Sequence, residues 1–217
     1  MNVRRRCFLF NVSGPYGVGK DVMLHAILER YGARIYRVHS LTTRPLSNHD
    51  GSWYDGASPE AFNVRTSTGR WIVTHQLSNT VLYGICIDEI ESAAAAGLVC
   101  ILSIFAGPEG AGTLKEIFGQ QVVSIGLVAS SADINTQLAV LEDRLVKRGR
   151  DSREAIEVRL KHQPEQIMYI ETNPLVETPS GKMRVFDEIV TNDDLSIATE
   201  KILSLFDAMV LGPLGEE

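Results

Sequence analysis

The sequence predicts an α/β protein built on a five-stranded parallel sheet between two helical layers. Three observations carry this prediction: five short apolar runs at 7–12, 34–39, 99–104, 121–128 and 185–191, helix-period segments between most of them, and a glycine-rich turn joining the first run to the first helix. Strands that alternate with helices pair in parallel, because each helix carries the chain back across the sheet.

The first run leads into Val12-Ser13-Gly14-Pro15-Tyr16-Gly17-Val18-Gly19-Lys20-Asp21, and Val22 to Leu28 then reads as a helix. Gly14, Gly17 and Gly19 allow backbone angles closed to other residues, so several amide N–H groups can converge on an anion while the helix points its positive end at the same place. The stretch therefore reads as a phosphate cradle, with Lys20 reaching the outer phosphates. At the next position, where a hydroxyl usually serves magnesium, stands Asp21. A carboxylate is a hard ligand for Mg²⁺ but repels bare phosphate, so a metal or a water would lie between; an acid decorating the first helical turn is the alternative.

After the second strand, 40–86 breaks the alternation. Turn residues (Pro45, Asn48, Asp50-Gly51, Asp55-Gly56) and strand-like pieces at 71–77 and 81–85 predict a small β-rich insert. Following the strands at 99–104 and 121–128, Ile134, Leu138, Leu141 and Leu145 fall on one helical face behind a cap at Asp133. An arginine-rich link at 147–153 and a longer loop at 172–184, with Pro174, Pro179 and Ser180-Gly181 and no assignable chemistry, come next. The strand at 185–191 precedes a last helix with Leu195, Ala198, Ile202 and Leu205 on one face and Asp194 at its start. The chain is expected to be one domain over 1–217, with core 1–39, 87–146 and 154–217, insert 40–86 and lid 147–153.

A net charge of −6 offers no global basic field, so duplex nucleic acid is not an expected partner, although local arginine clusters stay open. Three cysteines without metal or redox spacing, Cys7, Cys86 and Cys100, suit reduced residues of a cytoplasmic protein. No apolar stretch reaches membrane-spanning length, and the run behind Arg4-Arg5-Arg6 is too short for a secretion signal. A phosphate cradle, an insert that could hold an acceptor and an arginine-rich flap describe a phosphoryl-transfer enzyme.

The order and spacing of Ser13 to Lys20, Ser40-Leu41-Thr42-Thr43-Arg44-Pro45, Gly51-Ser52-Trp53-Tyr54, Tyr83-Gly84, Arg144 to Gly149, Arg159 and Asn192-Asp193-Asp194 resemble the guanylate kinase family of P-loop kinases. The resemblance implies the P-loop NTPase fold, ATP as donor, Mg²⁺ as cofactor and a phosphorylated small molecule as acceptor. It implies that Lys20, Arg144, Arg148 and Arg159 surround the transferring phosphoryl group, and that ATP lies on Gly14, Pro15, Tyr16, Gly17, Val18, Gly19, Lys20, Asp21 and Asn192, with Asp21 toward the metal. On the acceptor side it implies Ser40, Arg44, Tyr54, Thr74 and Tyr83. The acids that read guanine in the family are replaced by Thr74 and Phe105, a hydroxyl position holds Ile85, and a second phosphate-gripping arginine is missing near Leu46 or Ser47. These departures point away from GMP. The ribose 1,5-bisphosphate phosphokinases, a related branch, look similar at Gly19-Lys20-Asp21 and Ile85. The rival reading is a non-catalytic interaction module of the same fold, although such modules usually lose the phosphate loop.

Overall fold

A computed structural model describes residues 7–46, 53–76 and 81–212 of the protein. In chain order its elements begin with β1 (Leu9–Ser13), α1 (Lys20–Tyr31), β2 (Ile35–Arg37), β3 (Ser40–Thr42), β4 (Tyr54–Gly56), α2 (Pro59–Thr66), β5 (Trp71–Gln76), β6 (Val81–Cys86) and α3 (Ile87–Ala95). They continue with β7 (Val99–Leu102), α4 (Thr113–Phe118), β8 (Val122–Val128), α5 (Ile134–Arg148), α6 (Arg153–Lys161), α7 (Gln163–Thr172), β9 (Leu175–Thr178), β10 (Gly181–Arg184), β11 (Glu188–Thr191) and α8 (Leu195–Phe206).

The five predicted runs form one parallel sheet in the order β11-β8-β1-β7-β2. Every residue of β1, β7 and β8 is buried, which is why these strands are continuous apolar runs rather than alternating ones. Neighbouring β1 residues point to opposite faces: Phe10 joins a core with Leu24 and Ile27 of α1 and Ile202 and Phe206 of α8, while Leu9 joins one with Ile90 of α3, Leu114 and Phe118 of α4. Asp133 caps α5 by accepting from the Asn135 and Thr136 amides, and Asp194 caps α8 by accepting from Ile197.

The insert is a second, four-stranded sheet in the order β4-β3-β6-β5, parallel between β3 and β4 and antiparallel elsewhere. It also carries α2, which the periodicity concealed because Phe62 is that helix's one buried residue; Ser58 caps it by accepting from the Ala61 amide. The expected loop at 172–184 is corrected to the β9–β10 hairpin. Its strands are largely exposed and so lack a hydrophobic signature; its turn is closed by the Thr178 hydroxyl donating to the Gly181 carbonyl at 2.6 Å. The arginine-rich link is shorter than 147–153, since α5 extends through Arg148 and α6 starts at Arg153. Arg4, Arg5, Arg6, Ser47, Asn48, Asp50, Gly51, Ser52 and Leu77 lie outside the described residues.

Candidate active site

The loop from Gly14 to Gly19 leaves the carboxyl end of β1 pressed against β8, where a side chain at Gly14 would run into the Leu127 carbonyl. Gly17 and Gly19 have φ of +83° and +101°, the left-handed region that disfavours a side chain, and Gly19 hands the chain directly into α1. Two distant side chains pin the loop. The Asn192 amide donates to the Val18 carbonyl at 2.8 Å, and the Tyr16 N–H donates to Gln163 Oε1 at 2.9 Å. Lys20 Nζ arches back to donate to the Gly14 and Pro15 carbonyls at 2.7 and 2.8 Å. Burial pushes its ammonium down to about 8, against the opposing pull of Asp21 and with added repulsion from Arg148 and Arg159.

Beside this loop opens a cleft of about 520 Å³, bordered by Gly17, Gly19, Lys20 and Asp21 on one wall and by Arg144, Arg148, Arg159 and Asn192 on the other. Asp151 organises two of these arginines, holding Arg148 at 2.5 Å and Arg159 at 2.9 Å on its two carboxylate oxygens. Arg144 donates to the Asn192 carbonyl at 2.6 Å. Arg144 Nη1 and Asn192 Oδ1 are buried at the cleft without partners, one a donor and one an acceptor, so this wall suits a polar ligand edge that supplies both. The cations, the glycine-rich loop and the Asp21 carboxylate at its lip fit a magnesium nucleotide, because Mg²⁺ takes few protein ligands beside phosphate oxygens.

A narrower pocket of about 60 Å³ lies under the insert and shares Tyr16, Lys20, Tyr54 and Tyr83 with the cleft. Sheet register builds it: Ser40 pairs with Ile85 and Thr74 with Tyr83, so the three insert strands present these side chains to one space. Arg44 Nε donates to the Tyr83 hydroxyl at 3.1 Å, and its guanidinium lies 5.3 Å from the Tyr54 ring centre. Ser103, Phe105 and Gln166 complete the lining, and no carboxylate is in it among the described residues. The backbone there is set by a buried network in which Asn11 Oδ1 accepts from the Ile104 N–H at 3.3 Å and the Ser13 hydroxyl donates to the Ile104 carbonyl at 2.8 Å.

Of the sequence-expected residues, Gly14, Ser40 and Thr74 border the narrow pocket. Tyr16, Lys20, Tyr54 and Tyr83 border both spaces, and Gly17, Gly19, Asp21, Arg44, Arg144, Arg148, Arg159 and Asn192 border the cleft. Pro15 and Val18 contribute carbonyls inside the loop and line neither space. Sequence reasoning missed Asp151 and Leu195, which border the cleft, and Gln163, which holds Tyr16. An acid among arginines carries no signal that it will bridge two of them, and Gln163 reaches Tyr16 across 147 positions.

A parallel sheet with a glycine-rich anion loop at the end of its first strand, a converging ring of arginines and an adjoining second pocket define a P-loop kinase, an ATP-dependent phosphotransferase. A family model for guanylate kinase matches residues 8–209, and the chain belongs to that family. It is 28% identical over 199 residues to a guanylate kinase of Thermotoga maritima, covering 91% of this chain and 84% of the relative. To a guanylate kinase of Wolbachia sp. subsp. Brugia malayi it is 27% identical over 208 residues, covering 95% of each. The crystal structure of guanylate kinase from Anaplasma phagocytophilum superposes with a TM-score of 0.65 at 21% identity, covering 94% of this chain and 86% of that one, and thus shares the fold.

Proposed function

We propose that the protein transfers the γ-phosphoryl group of ATP to the phosphate of a small phosphorylated molecule, a nucleoside monophosphate or a sugar phosphate of the ribose 1,5-bisphosphate kind, and that GMP is a weak acceptor. The observation that carries this reading is the lining of the narrow pocket. Guanine presents N–H donors along one edge, and burying them against Thr74, Ile85 and Phe105, with no carboxylate among the described residues of the lining, costs about 1–3 kcal/mol for each unmatched group. The guanylate kinases among its relatives favour a nucleotide acceptor, whereas the loss of acids favours another base or none.

A phosphate monoester has a second pKa near ~6, so it arrives ionised and needs no general base. The remaining task is alignment and charge neutralisation. In this reading Arg44, Tyr54 and Tyr83 hold the acceptor phosphate, Lys20, Arg144, Arg148 and Arg159 surround the transferring group, and the loop amides hold the donor. Asp21 would hold Mg²⁺, whose contribution when bound is to neutralise phosphate charge. The insert over 40–86 serves as the acceptor-binding unit and the segment over 147–153 as the lid, in a cytoplasmic enzyme whose cysteines stay reduced. Among the described residues no helix is long and apolar enough to cross a membrane.

ADP release measured with ATP and Mg²⁺ across GMP, dGMP, CMP, UMP and ribose 1,5-bisphosphate tests the acceptor assignment. Turnover with a non-guanine acceptor at a kcat/KM above that for GMP is expected; GMP as the best substrate of the panel would reject it. For the metal, Asp21→Ser is expected to shift the Mg²⁺ dependence of turnover, and a titration curve identical to that of the parent would remove Asp21 from the metal's surroundings.

A further inference from the structure

We infer that Tyr16 is a further acceptor-binding residue, its phenol hydroxyl donating to the acceptor's phosphate between the Arg44 side of the site and the Arg159 side. The inference rests on the kinase reading above. Tyr16 is fixed at its root, because its backbone N–H is tied to Gln163, itself fully buried in α7. Its ring is fixed by cations, with the Arg159 guanidinium 4.9 Å and Lys20 Nζ 5.8 Å from the ring centre. It borders both the cleft and the narrow pocket together with Tyr83, whose hydroxyl accepts from Arg44 Nε at 3.1 Å. The polar groups thus run in one row, Arg44, Tyr83, Tyr16, Arg159, from the insert to α6, across the junction where the cleft meets the narrow pocket.

The chemistry of that junction selects the ligand. Two guanidinium groups at the ends and two phenols in the middle can all donate and none is anionic, so the row matches a dianionic phosphate held on one side while an oxygen on the other attacks the γ-phosphorus of ATP and the bond to the ADP oxygen breaks. Burial, with Tyr83 adding to it and Arg159 opposing, raises the Tyr16 phenol well above its usual range, so it keeps its proton at neutral pH, as a donor to phosphate must. The described part of the insert places one arginine, Arg44, on this wall, and a phenol from the phosphate loop adds a donor from the opposite side without adding a charge.

Tyr16→Phe and Tyr16→Ser separate the hydroxyl from the ring. With the acceptor on which the parent protein is most active in the panel above, Tyr16→Phe is expected to raise the acceptor KM roughly tenfold or more, as loss of a hydrogen bond to a charged group does. The ATP KM should change by less than about twofold, because the ring and the Gln163 contact survive. Tyr16→Ser is expected to raise the acceptor KM similarly and also to lower kcat, since Arg159 loses the ring it rests on. An acceptor KM for Tyr16→Phe within about twofold of the parent value overturns the inference, as does an equal rise in the ATP KM, which would mark a distorted loop. No turnover by the parent protein on any acceptor would instead defeat the kinase reading, and this inference with it.

Discussion

Lys20→Ala is expected to lower turnover by about 10²–10³-fold or more, the scale set by removing one preorganised donor from a developing anion. The circular dichroism spectrum and the thermal midpoint should remain close to those of the parent. The lysine's two hydrogen bonds go to carbonyls of its own loop, and no distant element depends on them. ADP-release kinetics beside thermal unfolding measure both halves, and unchanged activity would remove Lys20 from the reaction. Its titration adds a signature in the parent protein. The folded ammonium is lowered from 10.5 to about 8, so the cation that the proposed function sets against phosphate is present below pH 8 and is lost as pH rises through it. Anionic phosphates favour the protonated form, so ATP binding takes up a proton there and its Kd should rise with pH above about 8. For the free protein the sign is opposite: between about 8 and 10.5 the unfolded chain holds the proton more tightly, so stability rises with pH across that window.

The second large effect concerns stability. Lys115 is fully buried in α4, and its Nζ donates to the Val122 carbonyl at 3.1 Å and to both Asp187 oxygens at 2.9 and 2.8 Å. Asp187 Oδ2 also accepts from the Ser124 N–H at 2.8 Å, so one ion pair ties α4, β8 and the entry to β11 together. Lys115→Met should cost about 3 kcal/mol, because it leaves the Asp187 carboxylate, whose side chain is only 22% exposed, without its cation. For a chain of this length that corresponds to a fall of roughly 6–12 °C in the thermal midpoint. Adding Asp187→Ala to Lys115→Met should recover part of the loss, since the stranded charge is then gone. A double variant as unstable as the sum of the single ones would mean that the pair does not act as a unit.

The parallel sheet was legible because strands buried on both faces must be apolar throughout, as β1, β7 and β8 are. The anion loop was legible because its backbone angles demand glycine, as at Gly17 and Gly19. The β9–β10 hairpin and α2 were not, since elements that lie largely in solvent carry little periodicity to read. Asp151 and Lys115 were equally silent. In one dimension each is a charge among charges, and only folding sets Asp151 between Arg148 and Arg159 or closes Lys115 onto Asp187.

By itself the amino-acid order determined the sheet, the phosphate loop, the family and the residue types available to the site, because these depend on local backbone preference and on which segments must be buried. The tertiary structure alone decided that Asn192 and Gln163 clamp the loop, that Tyr16 stands between Tyr83 and Arg159, and that the narrow pocket's lining contains no carboxylate among the described residues. Those are meetings of side chains far apart in the chain. Hydrogen bonding and cation–π attraction act over a few ångströms of space, whatever the separation in sequence.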